Sequence, residues 1–246
     1  MDRMIYTAMT GAKHILEQQA TTAHNLANVT STGFKAQVDS FRAVPVLSTG
    51  LPTRAFVVDA TVGADFNPGA LQQTGRDLDV AVHGDGWLVV QRADGSEGYT
   101  RNGSLKISEN GVLQTANGLT VMGDGGPISI PPDITISIGK DGTISSVSNS
   151  TLPGPSNALG RLKLVNPEES NLKRADDGLF VTKNGTPAEA DANVQVVNGA
   201  LESSNVNVVD AMVTMISLAR QFEMQMKLVQ SAENNANKAS QLLNMS

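Results

Sequence analysis

The aspartate pairs Asp77/Asp79 and Asp176/Asp177 are the groups in this 246-residue chain best suited to acid–base or metal chemistry. Either reaction would need further ligands or a second catalytic group, and no EF-hand calcium loop accompanies either pair. The histidines are scattered along the sequence, at His14, His24 and His83. Because aspartates of this kind are typical of turns, we predict that they stabilise turns and that the chain binds no metal.

Phosphate binding and nucleophilic catalysis have no better support in the sequence. The glycine-rich run 123–127 ends in Pro127 and lacks the Lys-Ser/Thr pair of a phosphate-binding loop. No Gly-x-Ser-x-Gly elbow is present, and the absence of cysteine excludes thiol nucleophiles and disulfides. We therefore predict a protein without catalytic activity and without a cofactor.

The charge balance indicates which partners the chain does not bind. The sequence has 18 Lys and Arg against 24 Asp and Glu, a formal net charge of −6, and no basic block. Nucleic acid is therefore not an expected partner. Lys13, His14 and Glu17 interrupt the apolar residues near the start, unlike a secretory signal, and no apolar run approaches transmembrane length. We expect no membrane insertion, and export, if it occurs, without a cleaved signal peptide.

The beginning of the chain has the apolar spacing of an amphipathic helix. Apolar residues recur at alternating steps of four and three, with Gln19 as an exception. This stripe consists of Ile5, Met9, Ala12, Leu16, Ala23 and Leu26. We predict that the helix ends near Gly33, because glycine suits the left-handed residue that follows a helix.

The end of the chain has a longer stripe of the same kind. Its apolar members are Val208, Met212, Met215, Ala219, Phe222, Met226, Val229, Ala236 and Leu243, with Glu233 and Ser240 as interruptions. Asn207 or Asn205 is a suitable N-cap, and Asp210 favours the positive end of the helix. The spacing predicts a helix of heptad character.

Between the two helical stripes, short β-forming runs alternate with turn dipeptides such as Asn102-Gly103 and Asn110-Gly111. This alternation predicts an antiparallel meander over residues 76–185. Residues 36–75 and 186–207 are weakly patterned, and we interpret them as extended connectors. Residues 149–157, which include Pro153, Gly154 and Pro155, predict an exposed loop or a disordered insertion.

The predicted fold class is mixed α and β, with a central antiparallel β domain between two terminal helices. The spacing leaves two arrangements open for the helices: an ordinary buried pair within one monomer, or a pair that contacts neighbouring subunits. Two helices alone form a thin core of marginal stability. We therefore expect residues 1–35 and 208–246 to form one discontinuous helical domain that becomes fully ordered only against other subunits.

Four blocks of sequence carry a pattern that covers most of the chain. The first is Asn25-Leu26-Ala27-Asn28-Val29-Thr30-Ser31-Thr32-Gly33-Phe34-Lys35. The others are 78–87 with 99–103, then 199–206, and the closing segment 212–243. In content and order these blocks resemble the flagellar basal-body rod and hook protein family. Within the family, the opening residues 2–9, the connector residues 42–45 and residues 222–227 are most similar to proximal rod subunits, and distal rod subunits are the nearest alternative.

The resemblance implies a non-enzymatic structural subunit of the hollow rod that transmits torque across the periplasm. It implies export through the flagellar export apparatus and polymerisation with other proximal and distal rod subunits, and possibly with itself. It also implies that the terminal helices pair as a coiled coil. Without the resemblance, a self-contained periplasmic or surface binding module remains compatible with the residues.

The assembly interface that the resemblance implies combines both helical stripes with the first motif. Its expected members are Ile5, Met9, Ala12, Leu16, Ala23, Leu26, Asn25, Asn28, Gly33, Phe34, Val208, Met212, Met215, Ala219, Phe222, Met226, Val229 and Leu243. Two alternatives stay open for some of them. Asn25 and Asn28 bond across subunits, face a polar channel, or lie on solvated helix surface. Phe34 either fills a groove on a neighbour or packs against its own domain.

The Phe222→Asp substitution is the first test of this interface. We expect it to leave the central β domain folded and to prevent completion of the rod, because it places a charge in the apolar stripe. Circular dichroism would follow the β domain, and electron microscopy of basal bodies would follow the rod. A variant that still completes the rod would contradict the prediction.

Overall fold

The computed structural model describes residues 2–45, 55–132, 134–147 and 157–243. The chain forms two compact units. Unit 1 comprises Met1–Asn28, Gln37–Asp65 and Val206–Ser246, and unit 2 comprises Val29–Ala36 and Phe66–Asn205. Of the predicted 149–157 loop, all but the last residue lies outside the described residues.

Unit 1 contains the two long helices, α1 (Asp2–Ala27) and α2 (Val208–Leu243). They pack along each other, with Gly11 of α1 facing the side chain of Gln225. Gly11 lies nearly as many residues before the end of α1 at Ala27 as Gln225 lies after the start of α2 at Val208. This is the arrangement expected for an antiparallel helix pair. Neither helix, in the residues described, is long and apolar enough to cross a membrane.

The start of α2 confirms one of the predicted caps. The side-chain Oδ1 of Asn207 accepts hydrogen bonds from the backbone N–H groups of Val209 at 3.0 Å and Asp210 at 3.4 Å. These bonds satisfy two of the donors that the first turn of a helix leaves without partners. Asp210 lies in that first turn, where its negative charge favours the helix dipole.

The seam between the helices differs from the predicted stripes. Ala8, Ala12 and Ile15 are the buried apolar residues of α1, whereas Met9 and Leu16 are about half exposed. On α2 the buried residues are Leu218 and Ala232, while Met212 and Met226 are exposed. Small alanine side chains allow the helix backbones to approach closely, so the larger apolar residues lie beside the seam or away from it.

A β-hairpin packs on α1 within unit 1, formed by residues that the sequence analysis treats as a connector. Strand β1 (Gln37–Pro45) pairs antiparallel with β2 (Ala55–Ala64). The side-chain amide of Asn25 donates to the Gln37 carbonyl at 2.9 Å and accepts from the Gln37 N–H at 2.8 Å. Thr21 donates to Asp39 at 2.9 Å. Asn25 therefore makes the bonds that a neighbouring strand would make.

Within its described residues, unit 2 has sixteen short strands, all paired antiparallel. In chain order they are β3 (Leu71–Gln73), β4 (Val80–His83), β5 (Trp87–Gln91), β6 (Glu97–Thr100), β7 (Leu105–Ile107), β8 (Leu113–Thr115), β9 (Thr120–Gly123), β10 (Gly126–Pro127), β11 (Thr135–Ile138), β12 (Thr143–Val147), β13 (Asn157–Arg161), β14 (Leu164–Val165), β15 (Leu172–Arg174), β16 (Phe180–Thr182), β17 (Gln195–Asn198) and β18 (Ala200–Glu202). A short 3₁₀ helix spans Glu169–Asn171. The antiparallel β-rich centre is thus confirmed.

The largest sheet of unit 2 has the strand order β15-β16-β6-β5-β9-β8-β7, with β10 paired to β9 and β14 to β5. The smaller sheets are β11-β12-β13, β17-β4 and β18-β3. The last two join strands from opposite ends of the unit. Its core is aliphatic, as the low aromatic content requires, and Val80, Leu88, Val90 and Leu113 are essentially inaccessible.

Gly103 lies at a point where two backbones meet. Its carbonyl accepts a hydrogen bond from the Val80 N–H at 3.0 Å, and a Cβ at position 103 would overlap the Val80 carbonyl oxygen. Val80 is fully buried, so its backbone has no room to move away. The position therefore requires glycine.

The Gly103→Ala substitution should destabilise unit 2 by on the order of 3 kcal/mol, because the added methyl group forces β4 out of position. Urea unfolding followed by the fluorescence of Trp87, the one tryptophan of the chain, measures this unit. Gly125→Ala is the matched control, since a Cβ at position 125 has no atom within 4 Å. Equal stability of the two variants would refute the prediction.

Candidate functional site

A buried carboxylate at the end of β18 holds unit 2 together. Oε1 of Glu202 accepts hydrogen bonds from Lys35 Nζ at 2.7 Å and from the Gly69 N–H at 3.0 Å. Oε2 accepts from an Arg101 Nη atom at 3.0 Å. Lys35, Arg101 and Glu202 are 0%, 4% and 1% exposed, respectively. We call these three residues the ion cluster.

The ion cluster joins parts of the sequence that lie far apart. Lys35 and Glu202 are separated by 167 positions, and Arg101 and Glu202 by 101. Lys35 Nζ also donates to the Asn67 carbonyl at 2.9 Å. Buried charges are tolerated only when they are paired and hydrogen-bonded, so each of these contacts is needed to keep the cluster buried.

Gly33 brings the first motif against the backbone of Arg101. Its φ is +68°, and a Cβ there would overlap the backbone of Arg101 and Asn102. The Gly33 N–H donates to the Glu202 carbonyl at 2.7 Å. The prediction that Gly33 ends the first helix is therefore wrong: α1 ends at Ala27, and the positive φ of Gly33 serves the docking of the chain on unit 2.

Aromatic rings and a second arginine lie next to the first motif in unit 2. The Arg174 guanidinium lies 4.7 Å from the Phe34 ring centroid and 5.0 Å from that of Phe180, and it donates to the Lys35 carbonyl at 2.6 Å. Burial lowers the pKa of Arg174. Arg101 similarly lies 5.2 Å from the Trp87 ring. Phe34 thus packs against its own unit.

Asn205, the last residue of unit 2, bonds the residues at which the first stretch of that unit ends. Its Oδ1 accepts from the Ala36 N–H at 2.7 Å, and its own N–H donates to the Phe34 carbonyl at 3.3 Å. Thr32 also donates to the Asn102 side chain at 2.9 Å. Residues of the first three motif blocks therefore meet at one place in unit 2.

The helices of unit 1 carry a second feature, a large exposed apolar surface. We call Val209, Val213 and Ile216 the outer row, because their spacing of four and three places them on one face of α2. They are 67%, 61% and 57% exposed. Other large apolar residues exposed on the helices are Tyr6, Met9, Leu16, Val208, Met212, Met224, Met226 and Leu228.

The residues expected at the assembly interface fall into several groups. Ala12 is buried in the helix seam. The half-buried members are Ile5, Leu26, Asn25, Asn28, Gly33, Phe34, Met215, Ala219, Phe222 and Val229. The exposed members are Met9, Leu16, Ala23, Val208, Met212 and Met226. The side chain of Leu243 lies outside the description. Gly33 and Phe34 belong to unit 2, whereas the other members belong to unit 1.

Sequence reasoning missed the ion cluster and the outer row. Lys35 and Glu202 lie within the motif blocks 25–35 and 199–206, but nothing in the local spacing of either block links the two residues. Each feature has a signal in the sequence. For the ion cluster it is a charged residue inside a motif of otherwise apolar or small residues. For the outer row it is an α2 sequence that is apolar on more than one face.

The candidate chemical residues do not converge on a catalytic arrangement. Asp177 bonds Arg92 Nε at 2.6 Å and accepts from the Leu179 N–H at 3.1 Å, and so stabilises a turn as predicted. Asp79 is buried and accepts from the Thr74 hydroxyl at 2.7 Å. Within the described residues, no three His, Asp or Glu side chains are grouped so that they could hold a metal ion.

Comparison with known proteins identifies the class of protein. The model of the flagellar hook protein FlgE/F/G D1 domain matches residues 81–146, and that of the flagellar basal body rod FlgEFG protein C-terminal matches residues 197–242. The chain is 49% identical to flagellar basal-body rod protein FlgF of Salmonella typhimurium over 252 residues and 50% identical to FlgF of Escherichia coli over 256 residues, with 100% of each chain covered. The chain belongs to the flagellar basal-body rod protein family.

Within that family the similarity favours one member. A basal-body rod protein FlgG from Buchnera aphidicola is 30% identical over 89% of this chain, well below the FlgF proteins above. The chain is thus a structural rod subunit closest in sequence to FlgF, and a position in the proximal rod fits that name.

The Lys35→Met substitution should destabilise unit 2 by about 2–4 kcal/mol, because it removes the hydrogen bonds from the Lys35 ammonium to Glu202 and to the Asn67 carbonyl, although Glu202 keeps its pairing with Arg101. Urea unfolding followed by Trp87 fluorescence would measure the loss. Lys140→Met, at an exposed lysine of the same unit, is the matched control and should change stability by less than about 0.5 kcal/mol. A loss below about 1 kcal/mol for Lys35→Met would show that the cluster is not required.

Proposed function

We propose that this chain polymerises in the proximal rod through the exposed apolar surface of its two helices. The observation that carries the proposal is the outer row, where three large aliphatic side chains in succession are more than half exposed. Soluble monomers rarely expose contiguous apolar patches of this kind, and such patches mark interaction surfaces. The chain acts by assembly and not by catalysis.

The distribution of apolar residues on α2 supports contacts on more than one side. Leu218 and Ala232 face the seam with α1, whereas Val213, Ile216 and Met224 are exposed elsewhere on the same helix. A helix that is apolar on several faces is stable in water only when several neighbours cover it. One partner helix within the chain covers one face, and neighbouring subunits are the proposed cover for the rest.

The proposed interface combines the exposed members of the predicted stripes with the outer row. On α1 it comprises Met9 and Leu16, and on α2 it comprises Val208, Met212 and Met226 together with Val209, Val213 and Ile216. Methionine side chains suit this role because they adapt to contacts of different shape, as non-identical neighbours in a helical array would require.

We also propose a domain organisation, a set of partners and an export route for the subunit. The terminal helices form the discontinuous coiled-coil domain of the rod, and unit 2 is a domain that folds by its own contacts. The partners are other proximal and distal rod subunits, and further copies of this chain. The subunit reaches the periplasm through the flagellar export apparatus without a cleaved signal peptide.

The Ile216→Asp substitution separates assembly from folding. Ile216 is 57% exposed, so a charge there should change the stability of the isolated chain by less than about 0.5 kcal/mol. In the assembled rod the same charge would be buried without a partner, which should block incorporation. Motility, together with immunodetection of the variant in purified basal bodies, would measure incorporation.

Gln221→Asp is the matched control, since Gln221 is an exposed polar residue of the same helix. It adds the same charge and should leave motility unchanged. Normal incorporation of Ile216→Asp would refute the proposed interface. Equal loss in both variants would also refute it, because the effect would then come from added charge on α2 and not from the apolar row.

A further inference from the structure

Asn-Gly pairs undergo a spontaneous reaction that needs no enzyme. The sequence contains five of them, at Asn102, Asn110, Asn117, Asn184 and Asn198. In this reaction the backbone nitrogen of the glycine loses its proton and attacks the side-chain amide carbon of the asparagine. A cyclic imide forms and ammonia leaves, and water then opens the imide to aspartate or isoaspartate. Glycine in the second position favours the attack because it has no Cβ to hinder a close approach.

The reaction requires the backbone around the pair to change shape. The glycine nitrogen must leave its hydrogen bond, and the asparagine side chain must turn back towards it. A folded chain allows this only where the pair opens locally, so the reaction rate follows the frequency of local opening. The contacts of each pair therefore decide which asparagines react.

The pair at Asn102 is held through its side chain and its backbone. The Asn102 side chain accepts hydrogen bonds from the Thr32 hydroxyl at 2.9 Å and from the Ser104 N–H at 3.1 Å. A Cβ on Gly103 would overlap the carbonyl oxygen of Val80, which is fully buried. This pair opens only when the surrounding strands of unit 2 also move.

The pair at Asn198 is held by backbone hydrogen bonds. The Gly199 N–H donates to the Asp79 carbonyl at 2.8 Å. The Gly199 carbonyl accepts from the N–H groups of Thr74 and Gly75 at 2.8 and 3.0 Å. Asn198 itself lies in β17, which pairs with β4. Opening this pair breaks contacts between strands from opposite ends of the unit.

The pair at Asn110 is held on one side. The Gly111 N–H donates to the Ser108 carbonyl at 2.9 Å within its own turn, and the Gly111 carbonyl accepts from the Ile130 N–H at 2.7 Å. A Cβ on Gly111 would lie 2.7 Å from the Ile130 carbonyl oxygen. Because Ile130 is only 2% exposed, Gly111 cannot move far without disturbing the core.

The pairs at Asn117 and Asn184 lack such contacts. Their glycines, Gly118 and Gly185, donate to carbonyl groups of the same turn, at 2.9 and 3.2 Å. All four residues are exposed. A Cβ on either glycine would have no atom of the described residues within 4 Å. The residues just before these pairs keep backbone hydrogen bonds to other parts of unit 2, so the opening is confined to the turns themselves.

We propose that Asn117 and Asn184 are deamidation sites in the folded chain, and that unit 2 protects Asn102 and Asn198 from the same reaction. Each event replaces a side-chain amide with a carboxylate, and so adds one negative charge to a chain of net charge −6. The fold selects among pairs that are equivalent in sequence. It protects the asparagine that bonds Thr32, and it leaves reactive the two whose turns contact nothing else.

The new charge has different surroundings at the two sites. Asn184 lines a cleft of about 420 Å³ together with Glu168, Glu189 and Asp191, so a carboxylate there joins three of the same sign. Asn117 lies in the exposed turn between β8 and β9. Both sites belong to unit 2, whereas the surface proposed for assembly belongs to unit 1. Deamidation therefore changes the charge of unit 2 and leaves the proposed interface unmodified.

Ageing of the unmodified full chain tests the selection. Samples are kept at neutral pH, either folded or in enough urea to unfold the chain. Peptide mass spectrometry, after digestion at mildly acidic pH, gives the deamidation rate of each pair, and division by the rate in urea removes the effect of neighbouring sequence. We expect this ratio to be at least roughly tenfold higher for Asn117 and Asn184 than for Asn102 and Asn198. A smaller difference would overturn the proposal.

Full-chain variants test the assignment of the two sites. In the double variant Asn117→Gln/Asn184→Gln the longer side chains must close a larger ring, which forms more slowly. We expect ion-exchange chromatography of this folded variant to show less than about half of the acidic forms that the unmodified chain accumulates. A larger amount would overturn the proposal.

Asn166→Gln is the matched control for the double variant. Asn166 is exposed and lines the same cleft as Asn184, but it precedes Pro167, whose nitrogen carries no proton to lose. The control should accumulate acidic forms at the rate of the unmodified chain. An equal fall in the control and in the double variant would also overturn the proposal, because the loss would then not depend on the Asn-Gly pairs.

Discussion

The buried charges of unit 2 depend on one group, the Glu202 carboxylate. Two buried cations, Lys35 and Arg101, are tolerated only because one carboxylate bonds both of them. Around that contact the Gly69 N–H donates to Glu202 and Lys35 Nζ donates to the Asn67 carbonyl, whereas Arg101 Nε is buried without a hydrogen-bond partner among the described residues. The residues that make the motif blocks recognisable here thus act through electrostatics and close backbone packing.

The helices show which features of a fold local spacing contains. The steps of four and three predicted both α1 and α2, and Asn207 was predicted as a cap, because these features depend on residues within one or two turns. The seam was predicted only in part. Ala12 belongs to the predicted stripe of α1 and is buried, whereas the buried Ala8 and Ile15 lie on an adjacent apolar stripe of the same helix. Periodicity alone does not distinguish between such stripes.

In the β-rich centre, too, local sequence patterns predict local structure but not the contacts between residues far apart in the chain. Turn dipeptides predicted the antiparallel strands, since hairpins are local. The β1–β2 hairpin is interpreted as a connector from the sequence because residues 36–75 are weakly patterned, and the bonds from Asn25 to Gln37 exist only in the folded chain. Lys35 and Glu202 were not linked, because 167 positions separate them and each is an ordinary surface residue type. Their partnership exists only in the folded unit.

The two units place different constraints on their sequences. In unit 2 the buried charged groups, two cations and a carboxylate, bond one another within the same chain. In unit 1 the outer row of α2 has aliphatic side chains that water solvates poorly, and the seam with α1 uses a different face of the helix. A substitution in the ion cluster is therefore expected to act on one molecule at a time, whereas at the proposed interface a substitution in the outer row is expected to act where molecules meet. A subunit that must fold alone and then join a polymer needs this separation, because a surface used for both tasks would tie the strength of assembly to the stability of the monomer.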